Sequence, residues 1–422
     1  DPERGPSGAW RYLELFPRGR AGLLRTIDNG LGKKIRIEYE PASASAARAR
    51  SAGKPWSTRL NVGMPVVSRI EVDSGLGDPL QSTSFDYLDG TWDPIERTFA
   101  GFARGVQTEW GDEFTPSLVT ENRFETGMIY RSLRGSLLRS ETRSSEGLVH
   151  TRTINDYRVD ELDPSVDGRP VRYGYMSSTS TEFVEGGSES RIRRTFVETE
   201  QDRFGNVVEL RNWGEVSGDD FLVGNDELLI RRTFANDADD WLLGYPSEEE
   251  SLDATGQRLA MRRFRYDGAP FIGLAPGRVV RGDLSRQESW VGPELDSFVL
   301  DVATRYDADG HPLETEHADG GGRIYAWDAD DHTSILSEEV KLEGARLIET
   351  AQVDRRFGSL IQVVEYNGAK SRFEYDALGR LVATFRPGDA FDSPSSRHRY
   401  VLSAPLSLSL IHISEPTRLR RI

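Results

Sequence analysis

FEYDALGRLVATFRPGD, running from Phe373 to Asp389, reads as a strand, a turn and a second strand. Phe373 and Tyr375 alternate with polar neighbours. Asp376 supplies side-chain hydrogen bonding and Gly379 a residue free to take positive φ, after which Arg380 and Leu381 to Phe385 resume a strand that Pro387-Gly388 ends. A lone hairpin buries too little apolar surface to stand in water, so the unit needs neighbours of its own kind.

Those neighbours are present in looser form. Tyr306-Asp307-Ala308-Asp309-Gly310-His311-Pro312-Leu313 shares the frame, and Trp327-Asp328-Ala329-Asp330-Asp331-His332 repeats it at 327 − 306 = 21 residues. Asp354-Arg355-Arg356-Phe357-Gly358 precedes the first unit, with Gly358 and Gly379 also 379 − 358 = 21 apart. Asp202-Arg203-Phe204-Gly205-Asn206 and a bare Tyr266-Asp267-Gly268 extend the series upstream. The series resembles the tyrosine-aspartate (YD) units of RHS-repeat proteins, and Tyr375-Asp376-Ala377-Leu378-Gly379-Arg380-Leu381 is its specific copy.

Composition points the same way. Short aromatic and β-branched runs, 41 Gly and few stretches of helical period predict an all-β chain. The net charge of −16, with Arg interleaved among acids along strands, argues against a nucleic-acid partner. No run is apolar enough for a membrane span, and the start at Asp1 suggests a mature or internal piece of a soluble protein. Having no Cys, the chain has neither disulfides nor thiolate metal sites.

Further upstream, Lys33 to Glu40 alternates strictly, placing Ile35, Ile37 and Tyr39 on one face of a strand that follows the Asp28-Asn29-Gly30 turn. Pro41 to Ser51 reads as a short helix or a surface loop, its poor apolar content favouring the loop. Strands resume at Val66 to Val72 and at Ser84 to Tyr87. The second of these is expected to end at Asp89-Gly90, followed by another turn at Asp93-Pro94 and an aromatic-glycine cluster of Phe99, Gly101 and Phe102. Together with Phe85 and Tyr87, this stretch resembles the middle region of the insecticidal toxin-complex B subunit, the TcdB-like and SpvB-like proteins. Leu24 to Gly32, Glu125-Thr126-Gly127, Leu133 to Leu138, Ala235-Asn236-Asp237, Trp241 to Pro246, Arg265 to Gly268 and Gly277 to Leu284 continue the likeness in the same order.

The resemblance implies a division into residues 1–122 (middle/N-terminal region), 123–260 (middle/C-terminal region) and 261–407 (RHS/YD repeats). It implies a long antiparallel hairpin sheet coiling into part of a hollow shell that encloses a cytotoxic effector for delivery. Implied partners are the rest of the shell (a C-type subunit or C-terminal region), the encapsulated effector, and a pore-forming A-type subunit reached through an upstream region. The setting would be secreted or associated with a bacterial cell surface. Residues 408–422 form a separate tail, and Leu408 to Arg418 resembles a translated sequencing adapter rather than protein. A cell-surface YD protein that binds glycan, and a contact-dependent effector whose enzyme domain lies elsewhere, stay open as alternatives.

The residues expected to matter are therefore structural: Phe85, Tyr87, Phe99, Gly101, Phe102, Tyr266, Asp267, Gly268, Tyr306, Asp307, Gly310, Tyr375, Asp376, Gly379, Arg380 and Leu381. Aromatics such as Tyr266, Tyr306, Trp327 and Tyr375 are expected to stack between successive units. No catalytic residue, cofactor or metal is expected. His311, His317 and His332 lie among Asp307, Asp309, Glu314, Glu316 and Asp319, but their spacing matches no ligand template and turn positions account for them. Gly320-Gly321-Gly322 lacks the Lys and helix of a phosphate loop. Trp92, Trp110, Trp213, Trp241, Trp290 and Trp327 are expected as buried anchors rather than sugar platforms.

Overall fold

A computed structural model describes residues 22–400 except 61, 163–169, 186–191, 219–220, 222–225, 295, 343 and 399. The adapter-like tail and the start of the chain lie outside the described residues. Twenty-four strands, one α-helix and one short 3-10 turn make up the regular structure described, so the chain is all-β and antiparallel as expected. Two compact units divide the described residues, one running to Arg152, the other Thr153–Tyr400. No helix among the described residues is long and apolar enough to cross a membrane.

In the first unit, Thr26–Asp28, Lys34–Pro41, Pro65–Asp73, Gln81–Asp93, Thr98–Trp110, Leu118–Phe124 and Leu137–Ser144 each pair antiparallel with the next. The second unit repeats this meander from Arg172–Val184 through sixteen strands to Ser396–Arg397. Most described connections are hairpins or short loops, the helix-bearing stretch from Ala42 to Met64 and the loop from Asp267 to Asp283 being among the longer ones, which is why local turn chemistry governs so much of the chain. Cross-strand charge pairing fits the interleaving read from sequence. Glu248, Glu249 and Glu250 meet Arg263, Arg232 and Arg258 at 3.2, 2.7 and 2.6 Å. Half-exposed pairs of this kind contribute only about 0.2–1 kcal/mol each.

Three expectations are corrected. Residues 42–51 form an α-helix, not a loop. Five of its ten residues are Ala, the best helix former, and Arg48 and Arg50 favour its C-terminal dipole. Arg48 also ties it to the sheet through Glu40 at 2.5 Å and Asp86 at 2.6 Å. Asp89-Gly90 does not end a strand: Gln81–Asp93 is continuous, with Gly90 still opposite Phe102. Asp89 sits at φ +54 within that strand, and its carboxylate accepts from the Ser57 backbone N–H at 2.6 Å and hydroxyl at 2.9 Å. Nor are the tryptophans buried anchors. Trp241 is 76% and Trp110 58% exposed, and the other four are half-buried. Among the described residues no large side chain is fully buried, as expected where neighbouring strands lie side by side and large rings rest along the sheet.

The second unit has one clear core cluster, Ala235, Tyr266 and Val279, packed by Leu242, Tyr245, Phe264 and Leu284. All of these but Phe264 come from four of the stretches that carried the family resemblance, separated by up to 284 − 235 = 49 residues in sequence.

Candidate functional site

The repeated hairpin turn is built by one side chain. At Asp376 the backbone N–H donates to the Arg380 carbonyl at 2.9 Å, and the Gly379 N–H donates back to the Asp376 carbonyl at 3.0 Å. Oδ1 accepts from the N–H groups of Leu378 and Arg380 at 2.9 and 3.0 Å, and Oδ2 takes the Arg380 Nε–H at 2.7 Å. Asp307 repeats this design with Asp309, Gly310 and His311: Oδ1 accepts at 2.8 and 2.9 Å, and Oδ2 lies 3.1 Å from His311 Nδ1. Asp202 does the same with Phe204, Gly205 and Asn206. A fourth copy, Asp253-Ala254-Thr255-Gly256-Gln257, escaped the sequence reading because no aromatic precedes its Asp or lies within the turn. Its signal is the Asp and Gly three residues apart between two alternating runs. These are three-residue hairpin loops whose last residue is left-handed: Gly379 has φ +74 and Gly310 φ +89.

Tyr266-Asp267-Gly268 departs from that turn. Asp267 Oδ2 accepts from the N–H groups of Val280 and Arg281 at 2.7 and 3.0 Å, and Oδ1 from those of Gly282 and Asp283 at 3.1 and 3.0 Å. It therefore clamps the loop between strands Arg258–Tyr266 and Leu284–Trp290, against which Gly268 packs at Gly273 and Leu274. Asp328 likewise closes a longer loop, accepting from Asp330, Asp331, Thr333 and Ser334.

The aromatic before Asp267, Asp307 and Asp328 has a second job that the sequence reading did not foresee. Its polar tip donates to a backbone carbonyl on the preceding strand: Tyr266 to Pro246 at 2.8 Å, Tyr306 to Leu284 at 2.9 Å, and Trp327 to Pro312 at 2.9 Å. Ring contacts accompany this, Tyr266 lying edge-on to Tyr245 and Trp327 lying over His311. In the first unit Tyr87 reaches Val67 in the same way at 3.0 Å. There Phe102 is the hub, with Tyr87, Phe99 and Trp56 around it at 4.8, 5.1 and 5.9 Å between centroids. Phe85 is half-buried on the same strand as Tyr87, opposite Gln107. Gly101, at φ +111, supplies a bulge in the ladder, whereas Gly90 is the glycine on which the rings of Phe102 and Trp56 close. Leu381 pairs with Tyr375 where the next strand restarts.

Of the histidines singled out, His317 goes its own way, Nδ1 lying 2.7 Å from the Asp301 carbonyl. His311 and His332 are brought together with Asp307 and Asp309.

The turn carboxylates are held ionised. The His311 backbone N–H and ring hold Asp307 down at about 2, and Arg380, then the turn amides, lower Asp376. At Asp328 the amides of Asp331, Thr333 and Ser334 push the carboxyl far below its usual range. A carboxyl depressed on folding stabilises above its unfolded value of 3.8, and that stabilisation is lost as pH falls through the folded one. The melting temperature is therefore expected to hold from pH 7 to about pH 5 and to fall steeply between about pH 4 and pH 2. Asp376→Asn should blunt that fall. Circular dichroism melts across this range check it, and a melting temperature unchanged down to pH 2 would contradict the carboxylate-built turn.

Known proteins agree with this picture. Residues 12–127 match the family described as the insecticide toxin TcdB middle/N-terminal region. The fold is similar to that of a TcdB2-TccC3-TEV crystal structure, at 17% identity and a TM-score of 0.66 over 86% of this chain and 24% of that one. A Photorhabdus luminescens Tc holotoxin pore matches equally, at 17% identity and 0.66 over 86% of this chain and 24% of that one. TcdB2-TccC3 without its hypervariable C-terminal region matches at 15% identity and 0.66 over 95% of this chain and 26% of that one. This chain thus spans about a quarter of the length of the solved chains it matches. No curated protein matches it. Over residues 12–127 the chain thus matches the TcdB-type toxin middle/N-terminal region, the family that the sequence resemblance named.

Proposed function

We propose that this chain is a stretch of wall in a toxin-complex B-type shell, and that its role is containment rather than catalysis. The observation that carries the reading is the likeness of fold to TcdB2-TccC3 over 86% of the chain, joined to the family match at residues 12–127. The physical design supports it: each strand closes the edge of the one before, turn after turn, so little backbone is left open to foreign strands. On this reading residues 123–260 continue the middle region and 261–407 form the RHS wall. The rest of the shell comes from a C-type subunit or C-terminal region, a cytotoxic effector lies inside, and a pore-forming A-type subunit docks through an upstream region. The assembly is secreted from a bacterium.

The test uses the complete gene product from the source genome, viewed by electron microscopy and challenged with protease. A hollow particle that shields a downstream segment until the wall is opened is the expected result. A solid particle whose downstream segment is cut as fast as the free segment would sink the proposal.

A further inference from the structure

The Asp307–His311 turn and the loop that follows Asp328 belong to successive hairpins and face one another. One ligand atom from each of Asp307, Asp309, His311 and His332 lies within 4.8 Å of those of the other three. His311 Nδ1 is 3.1 Å from Asp307 Oδ2, and His332 Nδ1 is 3.7 Å from Asp309 Oδ2. The two imidazoles stack, with centroids 6.4 Å apart and planes at 26°.

Rigid neighbours aim these groups. The His311 ring lies on Trp327 at 4.4 Å, and Trp327 is pinned through Nε1 to the Pro312 carbonyl. Asp307 is fixed by the two amides of its turn, leaving Oδ2 turned toward His311. His332 sits at φ +52, in a loop whose other end is fastened by the four amides on Asp328. Two separate ion pairs on exposed turns would not require the imidazoles to meet. Here they do, across two loops whose sequence spacing fits no ligand template.

We infer that Asp307, Asp309, His311 and His332 form a binding site for a divalent transition metal of the Zn²⁺ class, which clasps two successive hairpins. Two imidazole nitrogens and two carboxylate oxygens are a donor set that such ions accept in tetrahedral array. Ligand bonds of about 2.0–2.2 Å require the four side chains to close in modestly from their present spacing. Imidazole selects the d-block ion over Ca²⁺ and Mg²⁺, which take oxygen ligands. Asp309 and His332 are the more exposed pair, leaving an entry path from solvent. The ion would join residues that chain connectivity leaves to separate turns, so it adds a cross-link within the second unit without taking part in any reaction.

Equilibrium dialysis of the full chain against ZnCl₂ tests this and reads bound metal whatever the association state of the protein. About one equivalent per chain is expected, retained in excess Mg²⁺ and Ca²⁺ and accompanied by a rise in melting temperature. His332→Asn is the informative variant, because Asn tolerates positive φ and keeps the loop while removing the imidazole. It should weaken binding by more than the roughly 10- to 100-fold that loss of an outer-shell partner costs, and Asp309→Asn should also weaken it. His317→Ala, outside the cluster, should bind as the parent does. Absence of saturable binding, or equal binding by the parent and His332→Asn, would overturn the site.

Discussion

Tyr266→Ala is expected to destabilise the second unit by about 3–5 kcal/mol, the range for truncating a buried aromatic. Tyr266 is 6% exposed and joins the Ala235 and Val279 cluster. Tyr245 meets it edge-on at 5.3 Å, and the Tyr266 hydroxyl donates to the Pro246 carbonyl at 2.8 Å. Burial, with Tyr245 beside it, pushes the phenol up to about 12, so it stays a neutral donor throughout the ordinary range. Truncation opens a cavity where four stretches of chain converge and leaves the Pro246 carbonyl without its partner. Tyr266→Phe keeps the ring and removes only the hydrogen bond, and should cost about 1–2 kcal/mol. Urea unfolding of the three proteins measures both steps. A loss below about 1 kcal/mol for the alanine variant would mean that this cluster is not the core of its unit.

Gly379→Val should cost about 2–4 kcal/mol, combining backbone strain with a steric clash. The residue sits at φ +74, and a Cβ added there would lie 2.7 Å from the ring of Phe357. Phe357 belongs to the Asp354 turn of the preceding unit, so the clash is also evidence that one unit seats on the next. Gly368→Val provides the control: its φ is +81 with nothing within 4 Å of the added Cβ, so it should show the backbone part alone, about 1–2 kcal/mol. Combining Gly379→Val with Phe357→Ala should recover part of the loss. If Gly379→Val and Gly368→Val cost the same, the contact with Phe357 carries no energy.

Both experiments rest on features that differ in how far they could be read in advance. The hairpins were legible because their chemistry is local. An Asp that bonds the amides two and four residues ahead, with Gly at the left-handed position between them, needs nothing from the rest of the chain. Asp376-to-Arg380, Asp307-to-His311 and Asp202-to-Asn206 could therefore be recognised from order alone, and so could the alternation of Ile35, Ile37 and Tyr39. Sequence alone thus determined the all-β class, the antiparallel meander and the likeness to the toxin middle region.

Tertiary structure decided everything that depends on what lies across a strand. Residues 42–51, locally favoured as helix by their five Ala, are fastened to the sheet by Arg48 through Glu40 and Asp86, the second of them 38 positions away. Gln81–Asp93 ran on past Asp89 because the facing strand kept its register and Ser57 took up the carboxylate. Trp110 and Trp241 stayed exposed because no described residues pack over them closely enough to exclude water. His332 came to His311 because pairing of Gly322–Trp327 with its two neighbours sets one loop against the next. Strand register is fixed by the summed packing of many residues on both partners, so no window of one strand contains it. The turns were written into the sequence, and their meetings were not.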